Sequence, residues 1–255
     1  MTSSPQLPDA PRGAPALEPR QRWRIAFSRS TGAEAAAHRV VVEALEDALS
    51  AGSLPLQRES RRGGRPRLAF GAPLPLGMAV DRELFDLWLL ERRPLSEVRA
   101  TVSAALPAGY RLEDAHDVWL GSPALPASVV GAEYVVAVAT DADEGDLREA
   151  VSRLLASTHL PRERAKGSGT TVYDLRPLVA ELDVRRSEGG SVDLRAVVRF
   201  HPALGSGRPE ELVAALAGLM DHPLEVVGTR RSRLILADDP RPGVTESPPI
   251  NTSRW

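Results

Sequence analysis

Arg61, Arg62, Arg65 and Arg67 fall within seven residues and surround the pair Gly63-Gly64. Arginine forks beside backbone N–H groups can hold a phosphate, and glycine lets the backbone approach a ligand closely. The same spacing fits a solvated hairpin whose arginines face water. His38 stands beside an apolar helical stripe, close to where that loop could fold back, and could act as an acid–base group or simply pack. Arg176, with Arg162, Arg164 and Lys166, forms a second basic group. These side chains, Arg61, Arg62, Arg65, Arg67, His38 and Arg176, are the candidates for contact with a ligand or RNA.

Other motifs lead to no chemistry. Lys166 precedes Gly167-Ser168-Gly169 instead of following it, so it cannot serve as a P-loop lysine, and the segment reads as a turn. Asp141-Ala142-Asp143-Glu144-Gly145-Asp146 has its glycine one position early for a calcium loop, and Ser152 replaces the bidentate glutamate. Those acids fit a helix N-terminus better. His38, His116, His159, His201 and His222 have no metal-ligand spacing, and neither HExxH nor GxSxG occurs. No catalytic residue, metal site or cofactor is therefore expected.

Composition narrows the class. The 255 residues carry 42% apolar and 26% charged side chains, enough for an ordinary core in one large or two small domains. The formal net charge of -2 excludes a global basic field, so any nucleic-acid site must be a local patch. Aromatics make up only 4%, which argues against base-stacking platforms. Without cysteine there are no disulfides, thiolate zinc sites or cysteine-held iron–sulfur clusters. Apolar runs are far shorter than the roughly 20 residues of a membrane helix, and Met1–Arg20 lacks the apolar region of a secretory signal. A cytoplasmic protein without membrane contact is expected.

The elements that position these residues follow from periodicity. Trp23, Ile25 and Phe27 alternate with polar neighbours as a half-buried strand. Thr31-Gly32-Ala33-Glu34 fits a capping box, Ala37 to Leu49 keeps the 3, 4 spacing of a helix, and Gly52 suits a left-handed stop. Strands are expected at 54–58, 67–70, 84–90 and 110–119, with a helix through Leu95, Val98, Val102 and Ala105. A second pass places strands at 134–138, 160–166, 171–173, 182–186, 192–200 and 224–237, with helices around Leu147–Leu155 and Leu212–Leu219. Glu188-Gly189-Gly190 is a hairpin signal. The expected plan is α+β: two tandem ferredoxin-like (βαββαβ) units with antiparallel sheets, at 22–120 and 132–237, joined by a linker at 121–131. A leader at 1–21 and a tail at 238–255 are expected to be disordered.

Arg24-Ile25-Ala26-Phe27-Ser28, His38, Leu54-Pro55, Arg65-Pro66-Arg67-Leu68-Ala69-Phe70, Leu74-Pro75-Leu76-Gly77, Glu83 and Asp86 occur in an order that resembles the radical SAM-associated (radical SAM-linked) protein family, a domain of unknown function. Asp174-Leu175-Arg176-Pro177-Leu178-Val179 is similar to that family's second motif. The resemblance implies a partner, a radical SAM protein with a cobalamin-binding region, and an accessory role near RNA or ribosome modification. This chain departs from the pattern at Ala37 and Val40, at Glu43 and Asp47, and at Arg61-Arg62-Gly63-Gly64. The expectation is a non-catalytic accessory or substrate adaptor of a radical SAM enzyme. The alternatives are a stand-alone RNA-binding module, or an enzyme built on His38 facing Arg65, Arg67 and Asp86.

Overall fold

The computed structural model describes residues 18–166, 169–186, 191–220, 222–240 and 245. Residues 1–17 of the expected leader, most of the expected tail, Gly167-Ser168 and the turn Glu188-Gly189-Gly190 lie outside the described residues.

β1, Gln21–Arg29, buries Trp23, Ile25 and Phe27 on one face, as its alternation dictates, but Arg22 and Ala26 are buried on the other, so the strand is covered on both faces and not half-buried. α1, His38–Ala51, follows, then the short strand β2, Leu68–Phe70, and the long strand β3, Ala79–Leu89. α2, Leu95–Ala105, and β4, Tyr110–Val118, complete the first half. Val41, Leu45 and Leu49 of α1 and Val98 and Val102 of α2 close over Ile25, Phe27, Phe85 and Leu87. Each such buried side chain stabilises the fold by about 1.5–3 kcal/mol.

The segment 121–131 holds a helical turn, Leu125–Ser128, and leads directly into β5, Val129–Ala139. α3, Glu144–Ala156, begins with the Asp143 carboxylate accepting the Asp146 N–H at 2.8 Å, so the acidic cluster sits at a helix start as expected. A separate hairpin, β6 (Pro161–Lys166) and β7 (Gly169–Asp174), precedes β8, Val179–Arg186, and β9, Val192–His201. α4, Pro209–Ala217, and β10, Glu225–Leu236, end the fold. α3 and α4 cover β5, β8 and β9 through Leu147, Leu154, Leu212 and Leu216.

The expectation of separate antiparallel sheets gives way to one large, mainly antiparallel sheet in the order β8-β9-β5-β10-β3-β1-β4. Its two halves join through a parallel pairing of β10 with β3, Arg230 opposite Ala79 and Arg231 opposite Val80. A third apolar cluster, with Ala26 and Leu84 from the first half and Tyr134, Val198 and Leu234 from the second, seals that seam. Among the described residues no helix is long and apolar enough to cross a membrane.

Two local expectations fail for tertiary reasons. The capping box does not form: α1 starts seven residues after Thr31, at His38, with Ala37 as a cap that makes no side-chain bond. The Ser30 N–H donates to the Gly109 carbonyl at 3.0 Å and Ala33 packs on Gly109, which holds 30–37 outside the helix. Gly52 is extended, with φ -81° and ψ -179°, not left-handed. A Cβ there would lie 2.8 Å from Thr101 Cγ2, so this glycine permits the close approach of α1 to α2.

Candidate ligand-binding site

The arginine loop is an ordered hairpin. Arg58–Glu59 pairs with Arg65–Pro66 around a 3₁₀ turn, and Gly63 and Gly64, at φ 66° and 77°, take the left-handed positions that turn requires. α1 supplies its counter-charge. Glu46 is fully buried; its Oε1 lies 2.8 Å from Arg62 Nη2 and its Oε2 accepts from Arg65 Nη1 at 3.0 Å. Asp47 adds a contact to Arg65 at 3.3 Å, and the Glu46 hydrogen bond, then the fields of Asp47, Glu46 and Glu43, hold that guanidinium above its ordinary value. Arg67 Nη1 donates to Gln57 Oε1 at 3.0 Å while its Cζ sits 4.1 Å above the Trp88 ring. The loop is thus fastened to its own chain, in contrast to the freely solvated hairpin. The Arg61 side chain lies outside the described residues.

His38 is the first residue of α1. Its Nδ1 accepts the Leu74 N–H at 3.3 Å, and its ring meets Phe70 edge-on at 5.1 Å. That bond fixes the neutral tautomer, with the proton on Nε2. Burial, then the field of Arg231, holds the imidazole below the usual histidine range. His38 and Arg62 line one cleft of about 370 Å³ with Val42, Leu68, Phe70 and Pro73.

The other expected residues do not meet there. Arg176 spends Nε and Nη2 on the Leu155 carbonyl, at 3.0 and 2.8 Å, and Nη1 on the Val179 carbonyl at 2.9 Å, tying the end of α3 to the start of β8. Asp86 does not face His38 across a cleft. It is fully buried between Arg22, whose Nε donates at 2.9 Å, and Arg24, whose Nε donates at 2.9 Å. Arg22 also donates to the Ser122 and Pro123 carbonyls, both at 2.8 Å, and lies 5.2 Å from Trp88 on the side of this cluster.

Two carboxylate clusters were missed by sequence reasoning. Glu83 on β3 accepts from Arg231 on β10, and Arg231 Nη2 also reaches the Pro73 carbonyl at 3.0 Å. Burial pushes the Glu83 carboxyl up against the opposing pull of Arg231. Glu133 on β5 is held by Arg195 at 2.8 Å and Arg233 at 3.3 Å, and despite burial its carboxyl lies below the usual range. A period-2 reading of β1 and β3 would have put Arg22 with Arg24 and Asp86 with Trp88 on shared faces. No local signal pairs Glu83 with Arg231. Among the described residues no three His, Asp or Glu side chains gather into a metal-ligand set.

Residues 20–208 match a protein family described as an uncharacterized protein conserved in bacteria, DUF2344. No curated protein matches the sequence. Among solved structures, the chain is similar to a Cbf5–Nop10–Gar1 complex, at TM-score 0.49 and 13% identity over 83% of this chain and 48% of that one. It is also similar to an archaeal box H/ACA sRNP Nop10–Cbf5 complex, at 0.44 and 12% over 83% and 47%. A third is an H/ACA RNP bound to a substrate RNA containing 2′-deoxyuridine, at 0.44 and 14% over 82% and 47%. The chain spans about half the length of the chains it resembles in these structures.

Proposed function

We propose that this chain, which belongs to the bacterial DUF2344 family of uncharacterized proteins through its match over residues 20–208, is a cytoplasmic, non-catalytic binding protein. In this reading it acts as an accessory or substrate adaptor of a radical SAM enzyme, in RNA- or ribosome-related modification. One observation carries the binding role: His38 and Arg62 line one cleft, while the buried carboxylates Asp86, Glu46 and Glu133 are each bound by two arginines. A carboxylate whose oxygens are taken up by two guanidinium groups has little left to offer a substrate. Such groups suit a rigid frame around a binding site.

The order of the motifs from Arg24 to Asp86 supports the radical SAM partner, and the absence of cysteine leaves any thiolate-held cluster to that partner. Strand order supports reading each half as ferredoxin-like. β2-β3-β1-β4 and β8-β9-β5-β10 follow the same spatial order, with helices after the first and third strands of each half. Co-expression with a radical SAM protein that carries a cobalamin-binding region, followed by size-exclusion chromatography, tests the partner. Co-elution is expected; separate elution of two folded proteins overturns this reading.

An RNA-binding module is the second reading, favoured by Arg195 on β9 and Arg233 on β10, each 38% exposed, which flank β5 on the same face of the sheet. Filter binding against salt checks it, since phosphate contacts give a slope of about 0.7 per contact on a single strand.

A further inference from the structure

We propose that the cleft at the start of α1 binds a nucleotide unit, with the phosphate between Arg62 and the His38 Nε2–H and the base on the apolar floor. The inference deepens the binding role argued above and does not depend on the identity of the protein partner.

The cleft's polar chemistry is one-sided. His38 cannot accept through Nδ1, because the Leu74 N–H occupies it, and so Nε2–H acts as a donor. Arg62 is anchored at one Nη by Glu46 and remains 43% exposed, so part of its fork is open. No aspartate or glutamate is among the lining residues. A site with donors and no lining carboxylate favours an acceptor-rich, anionic group over a cation.

The floor selects for more than a free phosphate. Leu68, Phe70 and Pro73 line the same cleft as the two donors with apolar side chains. Phe70 is held rigid by stacking on Phe85 at 5.2 Å and by the edge of His38. A base laid on such a surface gains contact area without needing base-specific hydrogen bonds. The volume, about 370 Å³, falls within the range of small-molecule sites.

The test uses the full chain, ¹⁵N-labelled, titrated with uridine 5′-monophosphate, adenosine 5′-monophosphate, uridine, inorganic phosphate and a short single-stranded RNA. The Leu74 amide and the His38 ring nitrogens report binding by NMR, and calorimetry gives Kd. Both mononucleotides should shift these signals, and uridine or phosphate alone should bind roughly tenfold more weakly or worse. Arg62→Ala should weaken mononucleotide binding about tenfold or more. His38→Asn should do the same, because its side-chain oxygen can still accept the Leu74 N–H while the Nε2 donor is gone. Circular dichroism checks that both variants fold. RNA binding tighter than the mononucleotides assigns the site to an RNA chain, and equal affinity assigns it to free nucleotides; either supports the proposal. It is overturned if no probe moves the His38 and Leu74 signals, if phosphate binds as tightly as the mononucleotides, or if both folded variants bind like the parent. Failure to co-elute with the radical SAM protein would overturn the adaptor reading and leave this result standing.

Discussion

Arg231 and Glu83 lie 148 residues apart in the chain and meet as a buried ion pair between β10 and β3. Arg231 also occupies one of the two register positions of the only parallel strand pairing among the described residues. The pair therefore sits where the two half-sheets become one.

Glu83→Ala should destabilise the protein by about 3–5 kcal/mol, since it leaves a guanidinium buried without its counter-charge. The double replacement Glu83→Gln with Arg231→Met should recover a large part of that loss, because no charge then remains to be desolvated. Urea unfolding of the three proteins measures both effects. A single variant as stable as the parent would show that the seam does not depend on the pair.

Ala37 occupies the N-cap of α1 with extended geometry, φ -63° and ψ 146°, but has no side-chain oxygen to receive an orphan N–H. Ala37→Ser should stabilise the fold by roughly 0.5–1 kcal/mol, a rise of a few degrees in Tm. Scanning calorimetry is the measurement. No gain would indicate that the helix start is already satisfied.

His38 should make stability depend on mildly acidic pH. Burial and Arg231 lower its folded pKa below the ordinary value of about 6.5. Between that lower value and the ordinary one the unfolded chain binds more protons, so stability falls as pH drops through this window and levels off below it. Above the ordinary value His38 contributes no slope. The difference in urea midpoint between the parent and His38→Asn, followed with pH, isolates the effect. An NMR titration midpoint at or above the ordinary value would contradict it.

Gly131 on β5 lies opposite Arg199, and a Cβ there would press into the Val198 carbonyl oxygen. Gly131→Ala should cost roughly 1–3 kcal/mol through overpacking. Faster hydrogen exchange at the β5–β9 amides, with a lower urea midpoint, would register it. Unchanged exchange would mean that the strands part without penalty.

Local periodicity is enough to place several of the elements. α2 was expected through Leu95, Val98, Val102 and Ala105 and spans Leu95–Ala105. The alternation of Trp23, Ile25 and Phe27 marked one face of β1 but not the equally buried face of Arg22 and Ala26, and the acids near Asp143 marked the start of α3. These features depend on which residues face a core and which satisfy neighbouring backbone groups, information that lies within a few positions of each residue.

Of the candidate site, only one juxtaposition is legible in the sequence: the loop is expected near His38, and Arg62 does share its cleft. Arg65, Arg67 and Arg176 went elsewhere, to Glu46, to Gln57 and Trp88, and to carbonyls of Leu155 and Val179. Arginine is long and donates in several directions, so its sequence position says little about which acceptor it reaches.

By itself, then, the sequence determined the α+β alternation, the absence of cysteine from these 255 residues and the basic loop. Tertiary structure alone decided that two half-sheets fuse through β10 and β3, that α1 begins at His38, and that Glu46 collects Arg62 and Arg65. Those outcomes rest on backbone bonds and ion pairs between residues distant in the chain. Backbone N–H and C=O groups are nearly identical in every residue, so only the packed cores determine which of them become neighbours.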